Sequence, residues 1–375
     1  MNNAKKTAII KSLNGRGEIM SKYPDYISPL REPVATPPSL VDENGQCCFG
    51  TYDKPFERFD LVKAKKPCGK WMPACMNKSR ITEWEAFEIN MKEGALVSAV
   101  YNTGAMGFSI FVWFDKRTQK VLSWWNPVIP SSKAHVAWRL IDDHSYLKTK
   151  NSEYEICNDL LNGKAWAKGY SKGKCGTFEI DMKVTRLCPP SIVSIPFGPN
   201  KPLYSEKDFL RAEGKIVVNG EEFITDGNSV SIIDDHKGYY PYKAHYDWLT
   251  SMGQCEIDGE MKDFAFNLTR NQSIDQDKYN ENLIWVDGTS YPMPPVTFTK
   301  EKRDSKTWYV RDERGLVDIR FEIADVFYLN MHFGIIDSYY ALPFGTIYGY
   351  VTDTNGKKYV VDGMVGIGED KTTRM

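Results

Sequence analysis

The feature that most constrains this fold is a series of short apolar runs separated by turn residues. Residues 95–101 and 108–114 are rich in β-branched and aromatic side chains, with a glycine-containing segment between them, which predicts a hairpin. Apolar and polar residues alternate over 177–186, as in a strand with one exposed face. Asn-Gly and Asp-Gly pairs, which tolerate the positive φ angles of tight hairpins, begin at residues 219, 226, 258, 287, 355 and 362. The pattern predicts a mainly β protein of antiparallel barrels or sandwiches.

Chain length and proline distribution indicate two domains. A chain of 375 residues is long for one domain and sufficient for two with separate cores. Residues 1–40 are polar and contain several prolines, so we expect an extended N-terminal arm. A proline-dense stretch near residue 200 predicts the boundary between a first domain over 41–199 and a second over 200–375. Few helices are expected; Ser205–Glu213, with a Ser cap and Glu206 in its first turn, is predicted as a short one.

Charge and motif content restrict the partners of the protein. Its 48 basic and 49 acidic residues leave a net charge of -1, which supplies no attraction for nucleic acid. No apolar window is long enough to cross a bilayer, and the N-terminal apolar stretch is too short for a secretion signal. We therefore expect a cytoplasmic protein that does not span the membrane. Neither metal nor cofactor is expected, because the histidines form no H-E-x-x-H motif and the glycine-rich segments lack a strand-to-helix context.

Several sequence blocks carry a resemblance to a known family. The runs Gly214–Val217, Ile233–Pro241 and His245–Trp248 resemble an uncharacterised bacterial and fungal domain family related to hydroxyneurosporene synthases. Further matching blocks lie upstream and downstream, at 41–45, 70–71, 111–115, 266–268, 281–288 and 317–321. The resemblance covers roughly residues 40–375. It implies the architecture of the wider group of carotenoid hydratases and survival-factor-like lipid-binding proteins, which is two lipocalin-like, calycin-type antiparallel β-barrels side by side.

The block from Asp234 to Trp248 concentrates side chains that could act on a substrate. The hydratase relatives imply an acidic residue with aromatic and His side chains in a cavity, and this block offers such a set. A carboxyl buried among apolar groups has a raised pKa and can donate a proton to an alkene or carbonyl near neutral pH. If 245–248 is extended, alternate residues face opposite sides. The candidate acids and bases are Asp234, Asp235, His245 and Asp247.

Aromatic and polar residues nearby are candidate ligand contacts. A substrate cation placed against Tyr240 or Trp248 would gain about 0.5 to 2 kcal/mol from each ring. Asn267, Arg270 and Glu281 form a second polar set, in which Arg270 either pairs with Glu281 or contacts a ligand oxygen. Trp125 either lines the first barrel or fills its core. A structural interpretation stands beside these assignments, since Tyr, His and Asp at a strand crossing often only satisfy one another's hydrogen bonds.

Two functions are consistent with these residues. The first is a cofactor-independent enzyme that protonates a hydrophobic isoprenoid, lipid or polyketide-like compound in a barrel cavity. Capture of the resulting cation by water would make it a hydratase, and internal capture a cyclase or isomerase. The second is a non-catalytic carrier that shelters the same kind of ligand. The sequence gives no indication of the oligomeric state.

Overall fold

Two curled antiparallel sheets make up the protein. The computed structural model describes residues 21–333 and 336–374, so residues 1–20 of the expected arm lie outside the described part. Within that part, one sheet has 14 strands and the other 11. One of the two sheets closes into a nearly complete barrel and the other into a half-barrel, which confirms the predicted mainly β fold.

The first sheet comprises β1–β14. Their bounds are Gly50–Thr51, Ile81–Asn90, Gly94–Asn102, Gly107–Asp115, Lys120–Val128, Ala134–His135, Asp143–Lys148, Ser152–Asp159, Lys164–Gly173, Gly176–Arg186, Ser191–Pro196, Pro202–Val218, Glu221–Ile224 and Val230–Tyr239. The main path runs β5-β4-β3-β2-β14-β12-β10-β9-β8-β7-β6. Strands β11 and β13 pair with β12, and β1 pairs with β11.

The second sheet comprises β15–β25. Their bounds are Lys243–Ile257, Glu260–Arg270, Leu283–Val286, Thr289–Pro292, Thr297–Thr299, Thr307–Arg311, Val317–Tyr328, Met331–Phe333, Ile336–Thr352, Lys358–Val360 and Val365–Arg374. The main path runs β18-β17-β16-β15-β25-β23-β21-β20-β19, and β22 and β24 pair with β23.

Helices are short and lie between strands. One α-helix spans Asn77–Arg80, and 3-10 turns span Pro29–Arg31, Leu61–Lys63, Ala74–Met76, Ser131–Lys133 and Leu160–Asn162. None of the helices in the described part of the chain is long and apolar enough to cross a membrane.

Strands β2–β4 are buried on both faces, and this explains their continuous apolar sequence. Alternate side chains enter different cores: Phe87 and Ile89 pack inside the first barrel, whereas Trp84 and Ala86 face the second sheet. The predicted hairpin is confirmed, with pairing from Gly94↔Asp115 onward. The alternating segment 177–186 is likewise a strand, β10, with one buried face.

The segment predicted as a helix, Ser205–Glu213, lies within strand β12, so that prediction is wrong. It pairs with β14 from Leu203↔Gly238 to Arg211↔Val230. Three of its charged residues, Glu206, Lys207 and Asp208, are buried. Lys207 finds a partner on β14, and Asp208 lies 2.7 Å from Arg186 on β10. Pairing on both sides of the strand outweighs the weak local preference for a helix.

The chain passes from the first sheet to the second at residues 240–242, between β14 and β15. The boundary expected near residue 200 therefore falls inside the first sheet. The prolines there bound a hairpin, because Pro196 at the end of β11 pairs with Pro202 at the start of β12. The proline-dense stretch marks a tight connection between two strands here, and the division into two domains stays a prediction.

Candidate active site

A cleft lies between the two sheets, and it is the candidate active site. It encloses about 820 Å³, counting its opening to solvent. One wall comes from β2–β4 and β14, the other from β15, β23 and β25. Its surface is mainly apolar, with side chains such as Val97, Ile110 and Leu342. The sequence predicts a cavity inside a barrel. The structure places this cleft between the two sheets, where it is lined by the face of β2–β4 that points away from the interior of the first barrel.

A smaller recess of about 320 Å³ adjoins the cleft, and the two share Trp84, Asp234 and Trp248 among their lining residues. Four charged or titratable side chains, which we call the ion cluster, line this recess: Lys207, Asp234, His236 and Glu281. Each is at most 9% exposed. The cluster thus places ionisable groups between two otherwise apolar sheets.

Strand pairing assembles the ion cluster, since β12 and β14 are neighbours and Lys207 lies opposite Asp234 in the register. Lys207 Nζ is 2.7 Å from Asp234 Oδ1 and 3.7 Å from Glu281 Oε2. His236 Nε2 lies 3.1 Å from Asp234 Oδ1 and 3.2 Å from Glu281 Oε2. The Ser205 hydroxyl donates to Glu281. The two carboxylates therefore share two nitrogen partners.

Electrostatics keep Glu281 ionised. Burial by itself raises its pKa, but the positive charges of Lys207 and His236 outweigh burial and lower that pKa to about 2. The His236 ring stacks on Trp84 with a centroid distance of 4.5 Å, and its Nδ1 has no hydrogen-bond partner among the described residues. The ring is therefore held by Trp84 on one face and by the two carboxylates at Nε2.

Glu88 is a buried carboxyl whose pKa is raised, in contrast to that of Glu281. It lies on β2, lines the cleft, and is 2% exposed. Its Oε2 has no hydrogen-bond partner among the described residues. Burial and the negative charge of Asp234 raise its pKa well above the ordinary value. Glu88 therefore holds its proton more strongly than an exposed glutamate does, beside an apolar cavity.

Glu369 on β25 lines both the cleft and the recess. Burial raises its pKa, although hydrogen bonds and the charge of Lys371 oppose this shift. The Tyr340 hydroxyl donates to its Oε1. The cleft thus contains a second carboxyl that holds a proton more strongly than an exposed glutamate.

Four residues predicted from the sequence line the site: Asp234, Tyr240, Trp248 and Glu281. A fifth, Asn267, is completely buried behind them. It accepts a hydrogen bond of 2.6 Å from Trp248 Nε1 and donates one of 2.9 Å to the Glu281 carbonyl oxygen. Asn267 therefore positions Trp248, and it is not among the residues that line the cleft or recess.

The other predicted residues do not line the cleft or recess. Asp235 faces away from Asp234 on β14 and lies 2.7 Å from Lys237 Nζ. His245 and Asp247 are on the side of β15 away from Trp248, as alternation requires. Arg270 is exposed and does not pair with Glu281, whose partners belong to the ion cluster. Trp125 is 39% exposed at the outer edge of the first sheet.

His245, Asp247 and Asp370 bring potential metal-binding atoms within 4.8 Å of one another, which the sequence did not predict. Lys300 Nζ bonds to Asp247 and lies 2.8 Å from Asp370 Oδ2. An ammonium group thus already balances both carboxylates, and we assign no metal to this group.

Besides several aromatic residues, five acidic, basic or histidine side chains of the site were missed from the sequence: Glu88, Lys207, His236, Glu369 and Lys371. Glu88 carried a usable signal, because it is a charged residue within the apolar strand sequence Ala86-Phe87-Glu88-Ile89. His236 lies inside the block already singled out. Glu369 and Lys371 gave no local signal, since charged residues near the end of a chain are ordinary.

Comparisons with known proteins give one matching family and several similar solved structures. A family model described as "Domain of unknown function (DUF2804)" matches residues 31–375. A search of curated proteins found no match. A solved structure of a candidate AttH protein from Nitrosomonas europaea is 13% identical, with a TM-score of 0.48 over 78% of this chain and 92% of its own.

Two further solved structures also cover 78% of this chain and 88% of their own. Kievitone hydratase from Nectria haematococca is 12% identical, with a TM-score of 0.45. CghA, determined with Sch210972, is 8% identical, with a TM-score of 0.45. Each of these is a resemblance of fold.

Proposed function

Because the chain belongs to the DUF2804 family, whose description assigns no activity, we propose its function from the cleft itself. We propose a cofactor-independent enzyme of hydratase, cyclase or isomerase type. It acts on a hydrophobic small molecule, such as an isoprenoid, lipid or polyketide-like compound, by acid–base chemistry. The observation that carries the proposal is Glu88, a buried carboxyl with a raised pKa on the wall of an apolar cleft.

The proposed reaction begins with proton transfer from Glu88 to an alkene or carbonyl of the substrate. Low polarity around the donor makes its neutral form the stable one, so the proton is available at neutral pH. The cation that forms lies against the faces of Trp84 and Trp248, each worth about 0.5 to 2 kcal/mol. Asp234, which lines both the cleft and the recess, then accepts a proton from attacking water or from the substrate.

The test uses para-nitrophenyl vinyl ether, an apolar alkene whose hydrolysis begins with proton transfer to carbon and releases a coloured phenol. We expect the protein to accelerate this release. Glu88→Gln should lower the rate by about 100- to 10,000-fold, the usual contribution of a general acid. Calorimetric titration with the ether should show that the variant still binds it.

Glu85→Gln is the matched control. Glu85 lies on the same strand and is completely buried, but it faces the interior of the first barrel, where Asn158 donates to it. Its substitution should leave the rate of phenol release unchanged. Equal rates for wild type and Glu88→Gln would contradict the proposal. Binding without any acceleration by wild type would favour the carrier, whose supporting observation is the predominantly apolar lining of the cleft.

A further inference from the structure

Lys371 on β25 lies in a cage of aromatic rings on the wall of the cleft. Its Nζ is 4.7 Å from the ring centroid of Tyr101 and 5.3 Å from that of Trp84. The rings of Tyr246 and Tyr340 each lie at 5.7 Å. Nζ also donates a hydrogen bond of 2.6 Å to the Tyr101 hydroxyl. The amine thus faces the same space that a hydrophobic substrate would occupy.

Lys371, which is half-buried, differs in its surroundings from the buried lysines Lys207 and Lys237. Lys207 lies 2.7 Å from Asp234, and Lys237 lies 2.7 Å from Asp235. No carboxylate oxygen among the described residues lies within 4.0 Å of Lys371 Nζ. An ammonium group in such a site loses hydration without gaining an ion pair, and the neutral amine is favoured accordingly.

We infer that Lys371 is a nucleophile that binds the carbonyl group of a hydrophobic aldehyde or ketone as an imine. This inference rests on the proposed function and narrows its substrate class to carbonyl compounds. Desolvated lysines in apolar pockets act in this way, because the neutral amine carries the lone pair that attacks carbon. Burial lowers the pKa of Lys371 to about 8, with Glu369 opposing the shift, which provides neutral amine at neutral pH.

The step is balanced without an oxidant or reductant. The neutral Lys371 nitrogen forms a bond to the carbonyl carbon as the carbon–oxygen π bond opens, and one proton passes from that nitrogen to the oxygen to give a neutral carbinolamine. Loss of water then leaves a carbon–nitrogen double bond. Glu88, which lines the same cleft and has a raised pKa, is an acid suited to protonate the departing hydroxyl.

The experiment traps the imine. The full chain is incubated with cinnamaldehyde and reduced with sodium borohydride, and the labelled lysines are located by peptide mass spectrometry. We expect Lys371 to be labelled well before exposed lysines, since its neutral fraction at neutral pH is on the order of 100-fold larger. Lys207, held by Asp234, serves as the internal control and should stay unlabelled.

Two further experiments test whether the labelling is specific to Lys371 and to a ligand bound in the cleft. Cinnamyl alcohol has the same shape but no carbonyl group, and an excess of it should protect Lys371 in the wild-type protein. Lys371→Arg should lose the label while keeping the thermal unfolding midpoint. Labelling of Lys371 no faster than that of exposed lysines would overturn the inference. That outcome is distinguishable from failure of the proposed function, because vinyl ether hydrolysis involves no carbonyl substrate and is measured separately.

Discussion

Buried carboxyl groups in this protein differ according to whether cations surround them. Glu281 is held between Lys207 and His236, and its pKa falls to about 2. In Glu85, burial and the negative charge of Asp235 raise the pKa to about 8. Both are glutamates at the same depth, so the charged neighbours decide the protonation state. The same difference in neighbouring charges distinguishes Glu88, whose pKa is raised, from Glu281 in the ion cluster, whose pKa is lowered.

Glu85 should make the protein less stable as pH rises. Its folded pKa of about 8 lies above the ordinary 4.5, so folding favours the protonated form. The resulting stabilisation is complete below pH about 4.5 and is lost as pH rises through about 8. Glu85→Gln keeps a neutral side chain, and its free energy of unfolding should decline less over this range. Urea denaturation at a series of pH values measures both slopes; identical slopes would refute the assignment.

Strand β12 links several parts of the first sheet. It pairs with β14 as far as Arg211 and with β13 from Lys215 onward. Gly214 lies between these two pairings with φ of +148°. A Cβ there would lie 2.1 Å from the Asp181 carbonyl oxygen on β10. The strand can change partners at this point because glycine permits both the backbone angle and the close approach.

Gly214→Ala should therefore destabilise the protein by about 1 to 3 kcal/mol or more, through strain and overlap with the neighbouring backbone. Gly220→Ala is the matched control, since Gly220 also has positive φ, +85°, but no atom lies within 4 Å of its Cβ position. That substitution should cost only about 1 to 2 kcal/mol. Chemical denaturation compares the two, and an equal loss would show that the contact with Asp181 is unimportant.

At the scale of the whole molecule, the two sheets are joined by a shared core and by the segment that precedes the first sheet. In the core, the rings of Phe114 and Phe344 stack at 5.4 Å. Ahead of the first sheet, Arg31 is 5% exposed. It donates to the carbonyl oxygens of Asn282 and Met293 at 2.8 and 3.1 Å. The arm therefore holds the segment that carries Glu281.

Removing the Arg31 guanidinium should loosen that segment. Arg31→Met removes the guanidinium donor from two carbonyl groups, of which that of Asn282 keeps the Met293 N–H, and we expect a loss of about 2 kcal/mol in the free energy of unfolding. Amide hydrogen exchange should also speed up around residues 280–293. Arg58→Met provides the control, because Arg58 is 63% exposed and pairs only with Asp60 at the surface. Unchanged exchange in Arg31→Met would count against a holding role for the arm.

The sequence by itself determined the strands, the hairpins and part of the site, because these depend on neighbouring residues. Alternation assigned the faces of β10, and the Asn-Gly and Asp-Gly pairs at 219, 258 and 287 adopt positive φ at both residues. The alternation of side chains along β15 also placed Asp247 and Trp248 on opposite faces of the strand, although it did not reveal which of these faces lines the cleft.

Only the tertiary structure decided where the cleft lies and which acids line it. Glu88 and Lys371 are far apart in the chain and line one cleft because β2 and β25 belong to the two sheets that form its walls. The helix expected over Ser205–Glu213 became a strand for the same reason, since pairing with β14 and β10 outweighed local preference. The pKa values of the buried carboxyl groups also depend on the tertiary structure, because burial and charged neighbours exist only once distant strands are in contact.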